Sequence, residues 1–308
     1  MNQMEKIQAL KKEKDAAILA HYYVPEEVQE AADYIGDSYY LARLAASLKE
    51  KTLVFCGVSF MGESAKALNP GKTVLMPDIG ADCPMAHMAQ PEKIKKIKET
   101  TEDVAVVCYV NSTAQLKACA DVCVTSSNAV KIVKALPQKR ICFIPDEHLG
   151  RHIAALLPEK EFIFNEGFCP VHASLASADV AKARDAHPGA LVLAHPECKK
   201  EVLEMADFIG STSEIISYAS NSSCDEFIIC TEEGVLYELK QKNPDKKFYT
   251  PSCPMCCADM KKNSLENIIR VLETGENEVV LSKELAEKSK KPLDAMLRLA
   301  QAKEGEKR

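Results

Sequence analysis

Short apolar runs recur along this chain, and between them the apolar positions return every three or four residues. The runs within ILAHYYV (18–24), LVFCG (53–57), ICFIP (141–145) and FIICT (227–231) are rich in Val, Ile, Leu and Phe. Runs of this length without alternation predict strands buried on both faces. The stretches ADYIGDSYYLARLAASLKE (32–50) and SSNAVKIVKALP (126–137) carry helical spacing, with Ser or Asp near the start. Strand–helix alternation predicts a parallel sheet flanked by helices.

The pattern repeats every 86 to 88 residues. ILAHYYV, VVCYVNS (106–112) and VLAHPEC (192–198) superpose, and so do AADYIGDS (31–38), CADVCVTS (119–126) and MADFIGST (205–212). LVFCG, ICFIP and FIICT form a third set, and KTVLMPDIGADC, KEFIFNEGFC and KKFYTPSCPMCC form a fourth that ends at cysteines. EKIQALKK at the N-terminus also matches EKIKKIKE (92–99). Such self-similarity marks one structural unit used repeatedly. The expected fold class is therefore α/β: three pseudo-symmetric α/β/α units of roughly three strands each, around a central site on a pseudo-threefold axis. The divisions fall at 1–84 plus 261–308, 85–171 and 172–260, and the tail AKEGEKR (302–308) is expected to fray. Ligands of parallel sheets bind beyond the carboxyl ends of the strands, so equivalent loops would meet in one cavity.

Composition narrows the function. The chain has 308 residues, a net charge of −6 and 46% hydrophobic residues. That balance gives no polyanion-binding surface, so no nucleic-acid partner is expected. No apolar stretch approaches about 18 residues, and the first segment is a polar amphipathic helix and not a signal peptide. A cytoplasmic protein with no membrane span is expected. Thirteen cysteines are too many for an ordinary intracellular chain, and their odd number in a long chain does not suit a disulfide scaffold. There is no GxxxxGK[ST] phosphate loop, no dinucleotide glycine fingerprint and no CxxxCxxC run.

The cysteines sort by position. Cys56, Cys142, Cys230 and Cys108 fall in strands and read as small buried hydrophobes. Cys119, Cys123, Cys198 and Cys224 have no equivalents in the other units. Cys83, Cys169 and Cys257 each follow the last strand of a unit, and the first two precede proline in DCPMAH and FCPVHA. Three thiolates on a threefold axis suit a cubane cluster with the fourth iron open, since such clusters normally take four thiolates. Zinc on three cysteines is the metal alternative. Cys253 and Cys256 share the loop of Cys257, with an auxiliary thiol role open to them.

Three polar positions also repeat. Position one is His21, Tyr109 and His195, and position two is Tyr23, Asn111 and Glu197. Residues at i and i+2 of an extended segment share a face, so each pair points into the same space. Position three, Ser38, Ser126 and Thr212, lies near helix starts, where hydroxyls serve as N-caps or help bind anions. Glu197 and the tyrosines offer acid–base chemistry, the latter where their pKa is lowered. His172, just after Cys169, is a further candidate, whereas His148, His152 and His187 read as surface or helix residues.

HYYVPEEVQEAADYIGDS, DCPMAH, CYVNSTAQLKACADVCVTSSNA, FNEGFCPVH, AHPEC and ADFIGSTS together resemble the quinolinate synthase family, over essentially the whole chain. The resemblance implies the three-unit α/β/α fold and the condensation of iminoaspartate with dihydroxyacetone phosphate to quinolinate, phosphate and two waters. It implies a [4Fe–4S] cluster on Cys83, Cys169 and Cys257 whose open iron acts as a Lewis acid. It also implies transient contact with the L-aspartate oxidase that supplies iminoaspartate. Carried over by motif, His21, Ser38, Tyr109, Asn111, Ser126, His195, Glu197 and Thr212 contact substrate, and His172 lies nearby. Glu197 and Tyr23 would move protons, with Tyr109 supporting ring formation. The run CPMCC departs from the family's CxxCxxC, which leaves Cys256 beside Cys257 as the third ligand. Two other readings are a radical enzyme of the diphthamide-synthase type and a non-catalytic iron–sulfur sensor.

Overall fold

The structure, a computed structural model, describes residues 2–302, so all but the first residue of the tail AKEGEKR lies outside it. It contains three parallel sheets of four strands. The first has β1 (Ala16–His21), β2 (Tyr34–Gly36), β3 (Thr52–Cys56) and β4 (Thr73–Leu75), in the order β2-β1-β3-β4. The second has β5 (Val104–Tyr109), β6 (Val122–Val124), β7 (Arg140–Ile144) and β8 (Glu161–Phe164), and the third has β9 (Leu191–Ala194), β10 (Phe208–Ile209), β11 (Glu226–Cys230) and β12 (Lys247–Tyr249). Both repeat the order of the first. Helices alternate with the strands, giving three α/β/α units.

Each sheet holds four strands, not the three expected. The additional strands are β2, β6 and β10, of two or three residues, hidden in segments whose helical spacing begins a few residues later. So short a strand displays no period of its own. An aspartate holds each one in place. Asp33, Asp121 and Asp207 immediately precede β2, β6 and β10, and each accepts the backbone N–H of a residue in the neighbouring central strand. Those residues are Ile18, Val106 and Val192, and all three distances are 2.8 Å. The aspartate's own N–H returns to the same residue's carbonyl in every unit. A central strand would otherwise carry an unpaired N–H beside the short edge strand. A basic side chain completes each lock: Lys11 reaches Asp33, Lys98 lies 2.6 Å from Asp121, and Arg184 lies 2.7 Å from Asp207. These cations come from helices Gln3–Glu13, Pro91–Thr100 and Ser177–Ala186, which explains the match between the first and second helical segments.

The first two units share one continuous apolar core, whereas the third packs two separate clusters on the faces of its sheet. Helix Leu265–Thr274 packs on helix Gln3–Glu13, and helix Lys283–Gln301 spans helices Ser59–Leu68 and Ala114–Ala118 of the first two units. Among the described residues, no helix is long and apolar enough to cross a membrane.

The third unit meets the first through bare backbone at Gly234. A Cβ added there would lie 2.7 Å from Tyr23 Cα and 2.8 Å from the Tyr22 carbonyl oxygen. Neither main-chain atom can rotate away. Gly234→Ala is expected to destabilise the protein by about 1–3 kcal/mol, as overpacking does. A thermal unfolding midpoint equal to that of the parent would contradict this close approach.

Candidate active site

In the order 2-1-3-4, the connections leave β1 and β3 in opposite directions, which opens a crevice beyond their carboxyl ends. His21 and Tyr109 are the last residues of β1 and β5, and His195 directly follows β9. The chain then turns. The Tyr23 N–H donates to His21 Nδ1 at 3.2 Å, and the Glu197 N–H donates to His195 Nδ1 at 3.3 Å. Positions one and two therefore share a cavity because of a turn, and not through the strand pleat expected from sequence.

The three crevices open on one central cavity of about 80 Å³. His21, Tyr23, Ser38, Tyr109, Asn111 and Ser126 line it from the first two units. His172, His195, Glu197 and Thr212 line it from the third, and the thiols of Cys83, Cys169 and Cys257 complete the wall. Ser38 and Thr212 are the first residues of helices Ser38–Ser47 and Thr212–Asn221. The capping side chains are those of Asp37 and Ser211, so neither Ser38 nor Thr212 is an N-cap. Ser126 lies two residues ahead of Asn128, the N-cap of helix Ala129–Ala135.

The electrostatics follow from burial. The His21 and His195 imidazoles accept a backbone N–H at Nδ1, which leaves Nε2 as their donor. Burial lowers His21 and His195 to about 3, so both are neutral near pH 7. His195 Nε2 lies 3.3 Å from Ser126 Oγ. For Glu197, burial opposes ionisation, but the facing His172, with hydrogen bonds from His172 and the Tyr109 hydroxyl, holds the carboxyl below the usual range. His172 Nδ1 lies 2.7 Å from Glu197 Oε2. A hydrogen-bonded path continues from His172 Nε2 to Thr231 Oγ1 at 2.9 Å, and from there to the Tyr23 hydroxyl at 2.8 Å. Tyr23 also meets Thr212 Oγ1 at 2.6 Å. Burial pushes Tyr23 and Tyr109 well above the usual range, and the Glu197 charge adds to this. The tyrosines are thus hydroxyl donors, which reverses the lowered pKa that a basic role requires.

The thiols are arranged alike. Backbone N–H groups of Met85 and Ala86 face Cys83, that of His172 faces Cys169, and those of Asp259 and Met260 face Cys257. Such donors stabilise sulfur that carries negative charge. Without metal, burial raises all three thiols, Cys83 to about 12. All thirteen cysteines are free of disulfides. Cys256 is exposed and hydrogen-bonded to Glu233, while Cys257 faces the cavity. The three cavity thiols, converging from three units with N–H donors behind them, fit a metal group held by three thiolates.

Sequence reasoning missed several neighbours. Thr231 and Glu232 follow β11 directly, and reading one or two residues past the repeated strand FIIC would have found them. His148 is no bystander: its Nδ1 lies 3.1 Å from the Glu197 carbonyl oxygen, and its ring stacks on Phe168. No periodicity signals a contact across units.

Fold and cavity define a three-unit α/β enzyme with a buried, cysteine-rich candidate metal centre. The family described as Quinolinate synthetase A protein matches residues 5–298. The chain is 51% identical over 295 residues to a quinolinate synthase from Clostridioides difficile, covering 96% of this chain and 97% of that one. It is 52% identical over 296 residues to one from Fusobacterium nucleatum, covering 96% and 99%. A quinolinate synthase from a Sulfurihydrogenibium species is 48% identical over 302 residues, covering 96% and 98%. The chain belongs to the quinolinate synthase family.

The lowered histidines give a pH signature. An unfolded histidine titrates near 6.5, whereas native His21 and His195 titrate at about 3. Between these values the unfolded chain binds protons that the native state does not, so stability should fall as pH drops through that window. His21→Gln should flatten this slope in metal-free protein, read by urea unfolding from about pH 7 to about pH 4. Parallel slopes for the two proteins would rule out a buried neutral His21.

Proposed function

We propose that the enzyme condenses iminoaspartate with dihydroxyacetone phosphate to give quinolinate, inorganic phosphate and two waters, a step of NAD biosynthesis. The carrying observation is the meeting of three thiols, one ionised carboxylate and a ring of neutral donors in a single cavity. The name shared by the relatives supports the product. Cys83, Cys169 and Cys257 would hold a [4Fe–4S] cluster with one iron open. When bound, that cluster supplies a Lewis acid that eases loss of hydroxide at neutral pH.

The remaining work belongs to the chain. Substrate carboxylates and phosphate lie against the free N–H groups of helices Ser38–Ser47 and Thr212–Asn221. The Ser38, Thr212 and Ser126 hydroxyls add donors, as do His21 and His195 from Nε2. Asn111 Oδ1, buried without a partner among the described residues, accepts a substrate N–H or O–H. Glu197 removes the proton from carbon beside the imine. Tyr109, whose hydroxyl bonds to Glu197, donates during ring formation. Tyr23 exchanges protons through Thr231 and His172 with the same carboxylate.

The chain divides at 1–84 with 261–308, 85–171 and 172–260. Packing of helix Leu265–Thr274 on helix Gln3–Glu13 supports joining the C-terminal segment to the first unit. The reading makes the enzyme cytoplasmic, in transient contact with the L-aspartate oxidase that provides iminoaspartate.

Anaerobic purification with iron and sulfide counts, followed by a quinolinate assay, tests the assignment. Glu197→Gln should retain the cluster and lower turnover by about 10²–10⁴-fold, the usual scale of acid–base catalysis. Cys83→Ser should lose the brown chromophore. Parental turnover in the first variant removes Glu197 from the reaction, and a full cluster in the second removes Cys83 as a ligand.

A further inference from the structure

Behind each cavity thiol stands a carboxylate directed at the cysteine's own backbone. The Cys83 N–H donates to Asp82 Oδ1 at 2.8 Å. The Cys169 N–H is directed at the buried Asp146 carboxylate, whose Oδ2 otherwise has no partner among the described residues. The Cys257 N–H donates to Glu232 Oε1 at 2.9 Å.

The third case carries the most. Glu232 is 1% exposed, and its side chain lines the cavity. Its Oε1 also takes Lys261 Nζ at 2.9 Å, and its Oε2 takes the Gly234 N–H at 2.7 Å. Lys261 Nζ donates in addition to the Tyr23 carbonyl at 2.7 Å. One ion pair thus joins the end of β11, the loop of the third thiol and the turn that carries Tyr23. The loop itself has no strand or helix from Pro251 to Ala258. Cys257 is held by this N–H bond, by the turn closed by the Lys261 N–H on its carbonyl, and by the Glu233 N–H on the carbonyl of buried Met255 two residues earlier. A buried carboxylate held only by backbone N–H groups would be costly, and the ion pair with Lys261 offsets part of that cost, although burial still outweighs it.

We propose that Glu232, ion-paired with Lys261, is the positioning residue that aims the Cys257 thiol into the cavity and couples it to Tyr23. The proposal rests on the reading of Cys257 as a metal ligand, and the test separates the two. In metal-free protein, alkylation of each cysteine is followed by peptide mass. Glu232→Ala should speed labelling of Cys257 several-fold and leave that of Cys83 and Cys169 at parental rates. Glu232→Gln, which keeps the acceptor and most of the volume, should lie between. In reconstituted protein, Glu232→Ala and Lys261→Met should release iron to a chelator about tenfold faster, the usual effect of losing a partner behind a metal ligand. Lys261→Arg should restore slow release.

Unchanged Cys257 labelling in Glu232→Ala overturns the proposal. So does equal acceleration at all three thiols, which would mean general loosening. Should Cys257→Ser retain a full cluster, the ligand assignment fails, and labelling of the metal-free chain still decides whether Glu232 aims the loop.

Discussion

Each unit hangs on one aspartate. Asp33, Asp121 and Asp207 tie the first residue before an edge strand to the central strand beside it, through a side-chain bond one way and a backbone bond the other. That pairing sets the register between the two strands. The central strand ends at position one and the edge strand leads to position three, so one interaction fixes the spacing between His21 and Ser38, Tyr109 and Ser126, and His195 and Thr212. All strands of a parallel sheet end at the same edge, and three such edges face the cavity. The convergence of the site is thus a consequence of local bonds made three times.

Charge inside the cavity is unusual for a pocket that would receive anions. Among the described residues, neither lysine nor arginine lines it. The available donors are the neutral imidazoles of His21 and His195, hydroxyls and helix starts, while His172 and the Tyr109 hydroxyl hold the Glu197 carboxyl below its usual range. Cations stand one layer back: Lys261 on Glu232, and Lys117, fully buried, on the carbonyl oxygens of Ser112 at 2.6 Å and Phe60 at 3.2 Å. Cations at that remove leave acid–base groups free of tight ion pairs. The raised thiols add a linked effect, since binding metal must expel their protons.

Much of this was legible in the sequence because repetition carries phase. Superposing the units located His21, Tyr109 and His195 at strand ends and aligned the three cysteines without any estimate of strand boundaries. The illegible parts have physical causes. β2, β6 and β10 are too short to show a period of their own, and β2 lies inside the stretch of helical spacing at 32–50. Ser38 and Thr212 carry the residue types of N-caps, but the residues before them, Asp37 and Ser211, do the capping. The direction of the tyrosine shifts depends on burial, which no motif encodes. Thr231, Glu232 and His148 act across unit boundaries, where sequence distance says nothing of spatial distance.

The departures from symmetry matter as much as the symmetry. The thiol layer is nearly the same in all units: a cysteine after the last strand, backbone N–H groups facing its sulfur and a carboxylate at its own N–H. A group with threefold character asks for equal ligands. Position two offers a phenol, an amide and a carboxylate in Tyr23, Asn111 and Glu197, the first and last presented by matching turns and Asn111 by a bend. A condensation asks for unequal groups, because one atom must lose a proton while another gains one. Repetition can supply the frame, but only divergence at the turns can supply direction. The third unit carries Glu197, His172 and Thr231 in one hydrogen-bonded path, and its apolar clusters are separate from the core shared by the other two.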